Sequence, residues 1–110
     1  MARSRTEVIK SAVQYGELLS TLFDDVEVRL FGSYHHNTAN KHSDIDLAVI
    51  SSDFADMNYI LALKLLNRLK INVDVEIEPI SLTPEELTSP RLGSIAAAIA
   101  KDSEVVYKSE

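Results

Sequence analysis

Residues 30–47 read Leu-Phe-Gly-Ser-Tyr-His-His-Asn-Thr-Ala-Asn-Lys-His-Ser-Asp-Ile-Asp-Leu, and two groups among them have the types and spacing for chemistry. Gly32-Ser33 follows an apolar run, and after ten intervening residues come two acids one residue apart, Asp44 and Asp46. A Gly-Ser pair that leaves a strand where a helix begins offers bare backbone N–H groups and a hydroxyl, a setting that suits phosphate. Two carboxylates spaced by two on a strand point to the same face and can share a hard divalent cation. A phosphate cradle next to a metal clamp is the minimum equipment for nucleotidyl transfer.

A third acid is available downstream. Over residues 72–80, Val73, Val75 and Ile77 alternate with Asp74, Glu76 and Glu78, as on a strand with one acidic face. If that strand lies beside residues 45–50, one of the three acids joins Asp44 and Asp46. A three-carboxylate cluster could hold two Mg²⁺, one on a triphosphate and one activating an acceptor oxygen. The third carboxylate could also accept the acceptor hydroxyl's proton. Each feature alone has an ordinary explanation: solvated acids on a strand, a charged sheet edge, a Gly-Ser turn. Their joint order is what points to a site.

The elements that must position these residues alternate along the chain. Ser4 or Thr6 can cap a first helix to about Leu22, whose apolar residues recur at three and four. Residues 26–31 form a short strand, and 34–43 a short helical turn or loop. Residues 45–50 are nearly continuous apolar, a strand covered on part of both faces. Asp53 can cap a second helix over about 54–70. Thr83-Pro84-Glu85-Glu86 starts a short helix with Pro at its first position, Pro90 separates it from an alanine-rich helix over about 91–101, and residues 104–107 suit an edge strand. The expected architecture is α/β or α+β, one sheet against helices, with 1–110 as a single domain and no internal repeat or linker.

Composition narrows the partners. The net charge of −6 argues against a nucleic-acid backbone, which needs concentrated Lys and Arg, so no direct nucleic-acid binding is expected; one nucleotide held through a metal remains compatible. There are no cysteines, hence no disulfide, thiolate metal site or Cys nucleophile. No apolar run reaches the ~18 residues of a membrane span, and the N-terminus lacks a signal-peptide core; a cytoplasmic protein away from membranes is the expectation.

The pattern apolar-Gly-Ser, ten residues, Asp-x-Asp resembles the minimal nucleotidyltransferases of the DNA polymerase β superfamily, in particular the small antitoxins encoded beside HEPN-domain partners. The resemblance covers most of the chain. Its motif residues fall on Gly32, Ser33, Asp44 and Asp46, and its third acid most naturally on Asp74 in Val73-Asp74-Val75, with Glu76 as runner-up. It implies a small mixed-sheet, polymerase β-like fold that uses ATP and Mg²⁺. Asp44, Asp46 and Asp74 would be the metal-binding and catalytic acids, and Gly32 and Ser33 would hold the triphosphate. It further implies an antitoxin that moves AMP from ATP to a hydroxyl, a tyrosine of a HEPN-type toxin.

One departure bears on activity. Relatives commonly carry arginines just after Gly-Ser, where this chain has Tyr34-His35-His36-Asn37-Thr38. Neutral His supplies far less positive charge than Arg, which grips phosphate in a fixed fork; Lys41 and His42 compensate in part as nucleotide contacts. The alternative reading is therefore a catalytically weak or inactive module that neutralises its partner by contact. A zinc site from His35, His36, His42 and Asp44 matches no common spacing, and His35 and His36 read more simply as a solvated turn. Tyr34 suits a base contact or plain packing, and the small residues of 95–100 suit either the core or a partner helix. A domain this small has little room to bind its own acceptor, so a second polypeptide, in a homo- or hetero-oligomer, is expected to complete the site.

Overall fold

The computed structural model describes residues 2–110. Helix α1 (Arg5–Ser20) is capped by Ser4, whose hydroxyl accepts from the Glu7 N–H, and it buries Val8, Ala12, Tyr15 and Leu19. Their spacing of four, three and four keeps them on one face. Then follow β1 (Glu27–Leu30), α2 (Gly32–His36) and β2 (Ile45–Ile50). A 3₁₀ turn (Ser52–Asp56), α3 (Tyr59–Lys70) and β3 (Ile77–Leu82) come next, then α4 (Pro84–Thr88), α5 (Ile95–Lys101) and β4 (Glu104–Lys108). None of the described helices is long and apolar enough to cross a membrane.

The sheet is mixed, in the order β3-β2-β1-β4. β1 runs antiparallel to both β2 and β4, while β2 and β3 are parallel. Interior strand β2 explains its near-continuous apolar sequence, since both faces are covered. Ile45, Leu47 and Val49 pack with α1 residues and with Ala62 and Leu66 of α3. The Tyr15 hydroxyl ties the two helices together by donating to the Leu66 carbonyl at 2.7 Å. On the opposite face Ala48 and Ile50 pack with Leu82, Ala96 and Ile99, which places α5 there. Asp46 shares this second face by alternation, at the start of the strand, and is only half-buried.

Three boundaries differ from the sequence expectation. Residues 72–76 are turn, and the third strand begins at Ile77. The Val73 and Asp74 N–H groups both bond the Lys70 carbonyl, and the Ile77 N–H bonds the Asp74 carbonyl, so the alternating segment coils off the end of α3 before it pairs. Val75, expected on an apolar face, is exposed. The strand then tolerates Pro79 because β3 is an edge. The second helix is broken: Ser51 caps the 3₁₀ turn, Met57 is extended, and Asn58 caps α3 by accepting from the Ile60 and Leu61 N–H groups. Asp53, the expected cap, instead accepts from the Asp24 N–H at 2.9 Å. Finally, α5 starts at Ile95 behind the Ser94 cap, because Gly93 lies at φ +77° and stops a helix from running through it. The Thr83-Pro84 start is present with a reciprocal Thr83–Glu86 capping box.

Candidate active site

The two halves of the Gly-Ser/Asp-x-Asp pattern meet at one contact. Leu30 pairs with Leu47 across β1 and β2, and the next N–H, on Phe31, donates to the Asp46 carbonyl at 3.1 Å. Gly32 then turns into α2 at φ +75°, with the Asp46 carboxylate directly against its α-carbon. A methyl group at Gly32 would overlap Asp46 Oδ2 and lie 2.9 Å from its Cγ. Glycine is thus required twice, for its left-handed backbone and for the room it leaves an acid fourteen positions on.

Asp46 is the hub of an acidic group. Asp44, two residues earlier on the same face, is exposed. In the parallel pairing of β2 with β3, the register partner of Asp46 is Glu78. Burial, and then the negative charges of Asp44 and Glu78, push the Asp46 carboxyl above the usual carboxylate range. Glu78 belongs to the acidic face of the sequence, where the resemblance points instead to Asp74. What hid it was register, because starting the strand at Ile77 sets Glu78 opposite Asp46.

The structure sets Asp74 and Glu76 apart from this group. The Asp74 side chain is only 9% exposed and forms an ion pair with Arg3. It also accepts from the Ser11 hydroxyl at 2.7 Å and from the Glu76 N–H at 3.0 Å. Burial raises its affinity for a proton, but the hydrogen bonds from Ser11 and Arg3 outweigh that and hold it below the usual carboxylate range. Glu76 meets the same guanidinium at 3.0 Å. Arg3 lies 71 positions from Asp74, and nothing local in the sequence announces the pair.

Lys41 and His42 are exposed in a turn leading to Asp44. That turn is shaped by Asn40, whose side chain accepts from the His42 N–H at 2.8 Å and whose own N–H donates to the Ser43 hydroxyl at 2.9 Å. His35 and His36 are not a free turn. Both contact the Asp102 carboxylate, at 3.1 and 2.9 Å, and His35 also lies 3.4 Å from Glu104. They therefore face the end of α5 rather than Asp44. Tyr34 is buried, its hydroxyl accepting from the Arg3 N–H, which makes it a packing residue. Among the described residues no three His, Asp or Glu side chains form a ready-made metal cage.

The family profile described as the nucleotidyltransferase domain matches residues 14–98, most of the chain. The chain belongs to the nucleotidyltransferase domain family. Its fold agrees. A Sulfolobus solfataricus structure described as a nucleotidyltransferase superposes with a TM-score of 0.70 at 21% identity, covering 98% of this chain and 90% of that one. A toxin–antitoxin structure with AMP-PNP superposes with a TM-score of 0.56 at 22% identity, covering 96% of this chain and 73% of that one. No curated protein matches the chain. The mixed four-stranded sheet with helices on both faces is thus a nucleotidyltransferase fold, of a family that generally uses a nucleoside triphosphate and a divalent metal. In this nucleotidyltransferase domain Gly32 and Asp46, the glycine and second acid of the motif, are in mutual contact.

Proposed function

We propose that this nucleotidyltransferase moves AMP from ATP to a hydroxyl of a partner protein, with Asp44, Asp46 and Glu78 as the metal-holding acids. The observation that carries the reading is the pairing of Asp46 with Glu78 at the start of two parallel strands, with Asp44 just before the first and Asp46 against Gly32. Glu78 takes the role that the resemblance assigned to Asp74, because Asp74 is committed to Arg3 and Ser11.

The donor set fits Mg²⁺. A half-buried carboxylate in the field of two others is relieved by a cation. Mg²⁺ is commonly held by one or two carboxylates together with substrate phosphates and water, so a complete protein cage is not required. Held by Asp44, Asp46 and Glu78, Mg²⁺ would supply charge neutralisation at the reacting phosphate and the departing pyrophosphate. The chain's own share is positional. Gly32 lets the triphosphate approach the backbone, Ser33 offers a hydroxyl, and Lys41 and His42 lie in the exposed turn that precedes Asp44. In the transfer the acceptor oxygen bonds the α-phosphorus, pyrophosphate leaves, and the hydroxyl proton passes to a carboxylate of the acidic group.

The toxin–antitoxin neighbour with AMP-PNP supports ATP as donor and a protein as partner. The finer reading is an antitoxin whose acceptor is a tyrosine of a HEPN-type toxin. The test incubates the purified chain, the product of the adjacent gene, α-labelled ATP and Mg²⁺. Label on the partner that disappears with Asp44→Ala/Asp46→Ala supports transfer. A tight complex without label, indifferent to those substitutions, would instead support neutralisation by contact. That second reading is favoured by one observation, the tethering of His35 and His36 to Asp102, at positions where the resemblance leads one to expect arginines.

A further inference from the structure

Beside Gly32 a cleft of about 510 Å³ runs between α2 and α5. Phe31, Ile95, Ala98 and Ile99 give it apolar walls, and Lys101 lies at its rim. Positions 95, 98, 99 and 102 recur at helical spacing, so one face of α5 forms one wall. The contact of His36 with Asp102, both lining residues, links its two sides. Gly32 borders the cleft and also touches Asp46, so a single residue lies between the cleft and the acidic group. Its volume falls within the range of small-molecule sites, which are mostly apolar with a few polar groups.

The neighbouring positive charges are mostly spoken for. Arg29 lies 2.6 Å from Glu27, Arg3 pairs with Asp74 and Glu76, and Arg5 pairs with Glu104. Lys101 is exposed and has no ion-pair partner among the described residues. A free ammonium on the rim of an apolar cleft, in a chain of net charge −6, complements a ligand with one flat apolar part and one anionic part.

We propose that this cleft seats the nucleoside of the triphosphate substrate and that Lys101 supplies a phosphate-binding cation from the C-terminal helix. The base lies against Phe31, Ala98 and Ile99, and the phosphates run past Gly32 toward Asp46. The assignment rests on the transferase reading but goes beyond it, because the acids and Gly32 do not themselves locate the base.

The test measures binding of ATP with Mg²⁺, and of adenosine alone, by calorimetry to the wild type and two variants at exposed positions. Ala98→Phe fills the cleft and is expected to weaken ATP and adenosine alike by tenfold or more. Lys101→Ala is expected to weaken ATP about fivefold, to lower the salt dependence of its binding, and to leave adenosine unchanged. Photolabelling with 8-azido-ATP is expected to mark residues 95–102. Wild-type affinity in Ala98→Phe, or a photolabel on the turn at 40–43 instead, would overturn the cleft assignment while leaving transfer by Asp44, Asp46 and Glu78 standing. Failure of the wild-type chain to bind ATP at millimolar concentration would overturn both.

Discussion

Gly32→Ala separates two costs that glycine avoids at this position. The first is backbone strain. A non-glycine residue at φ +75° costs about 1 kcal/mol or somewhat more. The second is the contact with Asp46, since the new methyl would overlap Oδ2 and lie 2.9 Å from Cγ and 3.1 Å from Cβ. The carboxylate can swing away, at about 0.5–1.5 kcal/mol for an unfavourable rotamer. Gly93→Ala is the internal control, because Gly93 has φ +77° but nothing within 4 Å of the added carbon. Thermal unfolding of both variants is the assay, with about 4 °C expected per kcal/mol for a domain of this size. Gly93→Ala should lose about 1 kcal/mol and keep full nucleotide binding. Gly32→Ala should lose about 2 kcal/mol and also lose Mg²⁺-dependent activity, because the displaced Asp46 carboxylate would no longer be placed to hold the proposed metal. The double variant with Asp46→Ala should recover part of the excess loss, a coupling of about 0.5–1 kcal/mol. Equal destabilisation at positions 32 and 93 with normal activity in Gly32→Ala would show that the Asp46 contact imposes no such constraint.

Other consequences can be checked alongside. Asp74→Ala breaks the largely buried pair with Arg3 and should cost about 1–3 kcal/mol at pH 7 in urea unfolding. Because the folded Asp74 carboxyl sits below its ordinary value, its contribution is present above the unfolded pKa of about 3.9 and lost as pH falls through the depressed folded value; the variant and the wild type should therefore converge in strong acid. Asp46 has the opposite sign. Its raised affinity for a proton means that ionisation weakens the fold as pH rises, so Asp46→Asn should raise the melting temperature at pH 7 without divalent metal and abolish any stabilisation by Mg²⁺. Gly16 packs α1 against β4, and a methyl there would overlap the Tyr107 ring. Gly16→Ala should destabilise despite its better helix propensity, by about 1–3 kcal/mol of overpacking less the propensity gain, read as a lower melting midpoint.

Much of this arrangement was legible in the residues, and the parts that were not share a cause. The period of Val8, Ala12, Tyr15 and Leu19 marked α1, and the run Ile45–Ile50 marked a strand with both faces covered, because burial imposes those patterns directly. Gly32, Asp44 and Asp46 were visible because local spacing brings them together across one strand pairing. The placement of Glu78 opposite Asp46 depends on register, and the alternation of Val73, Val75 and Ile77 suggests a strand where the end of α3 and the distant Arg3 impose a turn. Long-range partners also decided His35 and His36, which looked like a solvated turn until Asp102 was placed beside them. The cleft is another such case, since Phe31 and Ala98 lie on separate elements whose packing no local pattern encodes.

The most direct measurement compares label transfer from α-labelled ATP to the partner by Glu78→Gln and by Asp74→Asn, each well below its melting temperature. Glu78→Gln is expected to lose transfer by a hundredfold or more with its melting temperature no lower than wild type, while Asp74→Asn melts earlier and still transfers label. Transfer retained by Glu78→Gln and lost by a folded Asp74→Asn would contradict it.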